Sequence, residues 1–365
     1  MARSRIVVER LRIAGFRNLE QLELTPAARL NVIAGDNGQG KTSLIEALYV
    51  VATSRSFRTN RLAEVIRQGS SYASIELRVT RDGQRGEQRG QLSARGRSWR
   101  LDGKKPPRLV DYATRTPVVV FHPGDLALVH GSAQGRRTLL DRVALFSDPV
   151  SSDARQRFTH ALKSRQRILE QRGSGARELA ALEAVAAAHG ARLARARELA
   201  SESLGAAVSR AFETLTGHAL GLNARYVPGG SNDEAEFAEQ LRLRRDKDRL
   251  RRSASFGPQR DDLSLDLDGR AAKAYASQGQ QRLLALAIKM GELECVAHTS
   301  QAEPLLLLDD VSSELDPTRT GAVYDFVRQS QSQVFVTTTR PDLFVTPTLS
   351  MGERCDFVLR QGRFS

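Results

Sequence analysis

The sequence predicts a mixed α/β fold in which strands from both chain ends share one sheet and the middle of the chain forms a mainly helical insertion. Three observations predict it. Short apolar runs of strand type stand at 30–34, 117–121 and 304–308, the pattern of strands buried on both faces of a parallel sheet. A glycine-rich loop and a helix follow the first run, and two carboxylates close the last. From Gly135 to about Gly217 strand formers thin out, and apolar residues recur at spacings of three and four.

The elements follow in order. Ile6-Val7-Val8, Leu11-Arg12-Ile13 and Leu22-Glu23-Leu24 read as two or three strands within residues 5–34. A helix begins near Ser43 and runs to about Ala52. Residues 72–101 form a meander: Tyr72 to Val79 alternates, Asp82-Gly83 turns, and Asp102-Gly103 carries a second hairpin signal. Pro117 to Phe121 is a buried strand. Phe158, Ala161, Leu162, Arg165, Ile168 and Leu169 make one helix face, and Leu179, Leu182, Val185 and Ala186 another. Such stripes are core packing, and the segment is too short for a long coiled-coil arm. Gly229 to Ser255 is polar and charge-dense, and Leu263 to Leu267 returns to strand alternation. The predicted division is 1–125 for the N-terminal part of a head, 126–250 for an inserted helical lobe and 251–365 for the C-terminal part of the head.

A length of 365 residues suits about two domains of ~150 residues. The net charge is +13, carried by 48 arginines and seven lysines. An arginine bias of this kind can follow from a GC-rich genome. The net charge does not depend on that explanation, and it favours a polyanionic partner, most simply nucleic acid. Cys295 and Cys355 lie in no C-x-x-C, so neither a disulfide framework nor a zinc site is indicated. The N-terminus has no apolar signal region, and no stretch reaches the ~18 apolar residues of a membrane span. The expectation is a cytoplasmic protein without membrane contact.

The chemistry is carried by Gly35-Asp36-Asn37-Gly38-Gln39-Gly40-Lys41-Thr42, which meets every fixed position of a phosphate-binding loop and sits between a strand and a helix. Glycines allow backbone N–H groups to converge on phosphate oxygens, and the helix N-terminus adds positive potential. Lys41 is placed to reach the β- and γ-phosphates of ATP, and the Thr42 hydroxyl to ligate Mg²⁺. Leu305 to Leu308 then deliver Asp309 as the second Mg²⁺ residue and Asp310 as the candidate general base. Lys41 and Asp309 are 268 residues apart, so one sheet must collect strands from both chain ends.

Ala276-Ser277-Gln278-Gly279-Gln280-Gln281 opens an apolar helix and resembles the signature loop of ABC-type ATPases. The resemblance implies that Ser277 and Gly279 complete the ATP site of a second subunit. Ser313-Glu314-Leu315-Asp316 resembles the D-loop. Together with Gly15-Phe16-Arg17-Asn18, Arg55-Ser56-Phe57-Arg58-Thr59, Arg136-Arg137-Thr138-Leu139-Leu140-Asp141 and Gly257-Pro258-Gln259-Arg260-Asp261-Asp262, these motifs resemble, over nearly the whole chain, the RecF family of bacterial recombination and replication-repair proteins. That family is similar to SMC and Rad50 ABC ATPases but lacks the long coiled coil.

The resemblance implies a P-loop ABC-type ATPase head with an inserted lobe, weak DNA-stimulated ATP hydrolysis and ATP-dependent homodimerisation. It also implies binding to duplex and gapped DNA, and work with RecR and RecO in loading RecA and in the SOS response. Arg17, Arg55 and Arg58 are candidates for phosphate contact. Four departures from the pattern stand out. Asp310 occupies a position where many ABC ATPases carry Glu. Thr337-Thr338-Thr339 stands where a switch histidine is expected, His122 where a Q-loop glutamine would be sought, and Gln259 where the family usually has His. A transporter's nucleotide-binding subunit and an SMC- or Rad50-like structural ATPase are the alternative readings.

Overall fold

The computed structural model describes residues 3–217, 220–310, 328, 330–344 and 352–364. The D-loop motif at 313–316 lies outside them. The chain divides into two compact units, residues 1–125 with 296–365, and residues 126–295. Residues 251–295, expected in the head, belong instead with the inserted unit. The strand and the first helical turns in that stretch pack into its apolar core through Leu263, Leu265, Leu284 and Ile288. Chain order alone could not reveal this, because a lobe boundary is set by which core a segment fills.

The head contains β1 (Ser4–Phe16), β2 (Leu19–Leu24), β3 (Leu30–Ala34), helix α1 (Lys41–Thr53), β4 (Tyr72–Arg81), β5 (Gln84–Ser93), β6 (Gly96–Leu101), short helix α2 (Leu109–Ala113) and β7 (Val118–Phe121). After the insertion it continues with β11 (Ala302–Glu303), β12 (Leu305–Leu308), β13 (Val334–Thr338), β14 (Arg354–Arg360) and β15 (Arg363–Phe364). Among the described residues one sheet runs β15-β14-β3-β13-β12-β7, with every pair from β14 to β7 parallel. Strands from both chain ends therefore share it, as expected. Strands β3, β7, β12 and β13 are buried at every position, as strands covered on both faces must be. The second sheet orders β11-β1-β4-β5-β6, with β2 on β1.

Two local expectations change. The first two predicted strands are one, β1, and the charged interruption at Glu9-Arg10 is a register shift between Val8 and Arg10. A bulge absorbs one extra residue without ending a strand. Asp82-Gly83 does make the β4–β5 turn, with both residues at positive φ. Asp102-Gly103 makes a similar turn but closes only an isolated bridge between Leu101 and Lys104. Pro106 and Pro107 follow, and proline has no N–H for a strand ladder.

The inserted unit holds α3 (Ala127–His130), α4 (Ala133–Ser147), α5 (Ser151–Arg172), α6 (Glu178–Thr216), β8 (Leu222–Val227), α7 (Glu234–Leu243), α8 (Arg245–Arg251), β9 (Asp262–Leu267), β10 (Arg270–Ala271) and α9 (Ala272–Tyr275), and α10 (Gln278–Ser300) begins in it. Phe158, Ala161, Leu169, Leu179 and Ala186 are buried as predicted, whereas Val185 is 46% exposed and the α6 stripe is completed by Glu183 and Gly190. Arg165, on the predicted apolar face of α5, is fully buried. Its guanidinium donates to Glu183 Oε1 at 2.9 Å, Asp248 Oδ2 at 2.8 Å and the Leu241 carbonyl at 2.6 Å. A buried charge persists only when paired and hydrogen-bonded, so Glu183 must face inward and the stripe admits it.

Two sequence motifs of this unit interlock. Asp261 is buried and accepts from Arg197 Nη1 at 2.9 Å, the Tyr226 hydroxyl at 2.6 Å and the Gly229 N–H at 2.8 Å. Asp262 takes Arg136 in a fork at 2.6 and 2.9 Å, and Arg137 donates to the Asp261 carbonyl at 2.8 Å. The acidic pair after Pro258 is thus a structural clasp on the arginine pair of α4.

Candidate nucleotide site

The site forms where β3, β12 and β13 end at their carboxyl edges, the crevice in which open α/β sheets bind ligands. Gly35 follows the strand, and its backbone passes the Leu359 carbonyl so closely that a Cβ would sit 2.5 Å from that oxygen. Gly40 precedes α1 at φ 107°, a left-handed conformation that favours glycine, and a Cβ there would meet Leu19 and Asn18 at 2.9–3.1 Å. The Gln39 side-chain oxygen accepts from the Gln361 N–H at 2.5 Å, and the Asn18 amide donates to the Gly38 carbonyl at 3.2 Å. The loop is thereby fixed from both sides before any ligand arrives.

Lys41 Nζ donates to the carbonyls of Gly35 at 2.5 Å and Asp36 at 2.9 Å, which folds the ammonium back over the loop. Burial holds this ammonium below the ordinary lysine range, against the opposing pull of Asp310, Asp309 and Asp36. Thr42 Oγ1 donates to Asp309 Oδ1 at 2.9 Å, and Thr337 Oγ1 donates to the same oxygen at 2.8 Å. Burial pushes the Asp309 carboxyl above its ordinary range, while the two threonine hydrogen bonds and His122 pull it down. Asp309 N donates to the Phe121 carbonyl at 2.8 Å, which brings His122 beside it. The His122 ring tilts over Phe57 with 4.8 Å between centroids, and its Nδ1 accepts from the Gly124 N–H at 3.1 Å.

The Thr42 hydroxyl and the Asp309 carboxylate present two hard oxygens 2.9 Å apart, a donor set that fits Mg²⁺. Asp310 follows at φ 50° with its N–H donated to Thr337 Oγ1 at 2.9 Å. Its side chain lines an open cleft of about 560 Å³ with Asp36, Asn37, Gly38, Lys41 and Thr42. The structure therefore brings together the loop, Lys41, Thr42, Asp309 and Asp310, the residues singled out on sequence grounds.

Ser277 and Gly279 lie in the inserted unit. Ser277 is exposed and caps α10: its Oγ accepts from the Gln280 N–H at 3.2 Å, and Gln280 Oε1 accepts from the Ser277 N–H at 2.7 Å. This reciprocal box satisfies two N–H groups at a helix start and leaves the serine at the surface.

Sequence reading left the roles of two participants unassigned. Thr337 is fully buried and orients both aspartates; the run of three threonines after an apolar strand was the only signal. Glu46 is fully buried on α1 and takes Arg17 in a fork at 2.9 and 2.8 Å, Arg58 at 3.1 Å and Ser56 at 2.6 Å. Arg17 and Arg58, expected at phosphate, line the same cleft while bound to this carboxylate. A lone acid inside Leu44-Ile45-Glu46-Ala47-Leu48 was the signal, because such a charge requires buried partners. The Arg55 backbone N–H donates to Thr53 Oγ1 at 3.2 Å.

Residues 7–351 match the family model of the RecF/RecN/SMC N-terminal domain. Proteins named DNA replication and repair protein RecF are similar along most of the chain. The one from Anaeromyxobacter sp. strain Fw109-5 is 42% identical, covering 90% of this chain and 91% of its own. The one from Myxococcus xanthus strain DK1622 is 38% identical, covering 90% of each. A solved structure of the recombination mediator protein RecF-ATP in the RecFOR pathway superposes with a TM-score of 0.88 at 24% identity, over 99% of this chain and 97% of that one. The Smc head domain of Pyrococcus furiosus shares the fold more distantly, with a TM-score of 0.55 at 18% identity, over 98% and 95% of the two chains. With the nucleotide loop, the paired aspartates and the two-sheet head in place, the chain belongs to the RecF family of DNA replication and repair proteins.

Proposed function

We propose that this chain is an ATP-switched DNA-binding protein of recombinational repair and replication, acting from the cytoplasm as a homodimer. The observation that carries the reading is the convergence of Lys41, Thr42 and Asp309 at one sheet edge, in a RecF-family chain of net charge +13. Mg²⁺ held by Thr42 and Asp309 would neutralise charge on the phosphate oxygens. Lys41 would exchange its two backbone carbonyls for the β- and γ-phosphates. Asp310, at the mouth of the same cleft, would hold and deprotonate the attacking water, and its short side chain suits slow turnover. Ser277 and Gly279, at the exposed start of α10, would close over the γ-phosphate bound by a second copy, which makes two equivalent composite sites across a two-fold axis.

Loss of the γ-phosphate removes that bridge and opens the dimer. The DNA contacts would go mainly to the phosphate backbone, since no base-reading motif is present, on duplex and gapped substrates handled with RecR and RecO. Among the described residues no helix is long and apolar enough to cross a membrane.

The deciding experiment is retention of gapped DNA on filters with and without ATP and Mg²⁺. ATP should tighten retention, Lys41→Met should abolish nucleotide binding and that response, and Ser277→Arg should bind ATP yet stay monomeric. Equal retention with and without ATP, or ATP-driven dimers of Lys41→Met, would remove the proposal.

A further inference from the structure

Residues 242–252 hold seven basic residues against two acidic ones, and the structure sorts their roles. Arg242 is spent on Glu239, in a fork at 2.8 and 2.7 Å. Arg245 is bound to Glu183, and Arg244 lies over the Phe256 ring at 5.1 Å. Asp248 is buried, where it accepts from Arg165 at 2.8 Å and from the Ser255 N–H and hydroxyl at 2.8 and 2.7 Å. One of the two acids is therefore turned inward and neutralised. Lys247, Arg249, Arg251 and Arg252 are exposed, and none of them forms an ion pair among the described residues.

The same surface continues on α5. Gln166 Nε2 donates to the Asp248 carbonyl at 3.3 Å, which lays α8 against α5. Lys163 and Arg167 of α5 are exposed and also form no ion pair among the described residues. In the middle of the basic turn stands Leu250, 84% exposed, the most exposed large apolar side chain among the described residues. Basic residues at a helix C-terminus favour the helix dipole, which accounts for Arg249 and Arg251. That effect places neither Lys163 and Arg167 on a neighbouring helix nor a bare leucine between arginines.

We infer that the α8 turn, with the adjoining face of α5, is a docking surface for the phosphate backbone of duplex DNA, and that Leu250 enters the groove beside these cations. The charge is complementary to phosphate, and arginine forks suit phosphate oxygens. The buried Asp248–Arg165 pair holds α8 in place, so the cations are presented from a fixed helix. Minor-groove-binding proteins combine basic side chains with apolar ones, leucine among them, that wedge between base steps. This inference rests on the DNA-binding reading above and assigns it a surface outside the nucleotide site.

The test uses the full chain with ATP and a duplex oligonucleotide, and measures affinity across a salt series. Arg249→Ala, Arg251→Ala and Arg252→Ala combined should weaken binding about tenfold or more and flatten the log–log salt slope by about one per cation removed. Leu250→Ser should weaken binding several-fold with the slope unchanged. Basal ATP hydrolysis and ATP-driven dimerisation should stay at wild-type levels in both, since neither variant touches the nucleotide site. If wild type binds duplex but the triple variant keeps its affinity and slope, the surface assignment is wrong and the DNA-binding reading stands. If wild type binds no DNA with ATP, both fall. A triple variant that keeps DNA binding but loses binding to anionic vesicles or to an acidic protein would also overturn the assignment.

Discussion

Thr337→Val is the sharpest probe of the nucleotide site. Valine keeps the shape of the side chain and removes only the hydroxyl. That hydroxyl is fully buried and makes two hydrogen bonds at once, donating to Asp309 Oδ1 at 2.8 Å and accepting from the Asp310 N–H at 2.9 Å. A hydrogen bond to an ionised carboxylate contributes about 1.5–3 kcal/mol and a neutral one about 0.5–1.5 kcal/mol. The loss should therefore total about 2–4.5 kcal/mol in the nucleotide-free protein. Asp309 would keep only the Thr42 hydroxyl on that oxygen, and Asp310 would lose the bond that holds its left-handed backbone.

Urea unfolding of the nucleotide-free chain reads the stability loss, and Mg²⁺-dependent ATP turnover reads the loss of alignment. Thr337→Ser, which retains the hydroxyl, should restore most of both. A Thr337→Val protein within about 0.5 kcal/mol of wild type, with unchanged turnover, would refute the claim that this threonine organises the two aspartates.

Three further outcomes are expected. Asp310→Asn should slow hydrolysis and accumulate the ATP-bound dimer in gel filtration; unchanged turnover would remove Asp310 as the base. Glu46→Ala removes the buried carboxylate that holds Arg17 and Arg58 and should cost about 1–3 kcal/mol, since both arginines are partly exposed and can turn to water; the denaturant midpoint measures it, with nucleotide affinity falling too because both arginines line the cleft.

Burial raises the Cys295 thiol from its ordinary 9.0 to about 11, so near pH 8 a thiolate-specific reagent should modify it only as fast as the protein opens. Because the folded value is the higher one, the associated stabilisation is complete below about pH 9 and is lost as pH rises through about 11. A Cys295→Ser comparison of unfolding free energy across that window checks the sign.

Much of the site was legible in the chain. A phosphate-binding loop is a local object: its glycines, its lysine and the flanking strand and helix are contiguous, and each fixed position answers to a backbone requirement that sequence displays. The four leucines before Asp309 were legible for a similar reason, since a strand covered on both faces has no polar side to show. What stayed hidden depends on contacts across the chain. Glu46 and Arg165 are charged residues in apolar settings, and only the fold supplies the partners that permit them. Thr337 becomes meaningful once β13 is placed between β3 and β12, and no periodicity encodes strand order. The clasp of Asp261 and Asp262 on Arg136, Arg137 and Arg197 joins positions more than 60 residues apart.

The sequence by itself determined the nucleotide chemistry, the mixed α/β class and the helical character of the middle segment, because loops, buried strands and amphipathic helices are specified by near neighbours. Only the tertiary structure decided where the inserted unit ends, which charges are buried and which cations are left facing water. Those outcomes follow from which side chains distant in sequence desolvate together, and the sign and cost of a charge change with its surroundings.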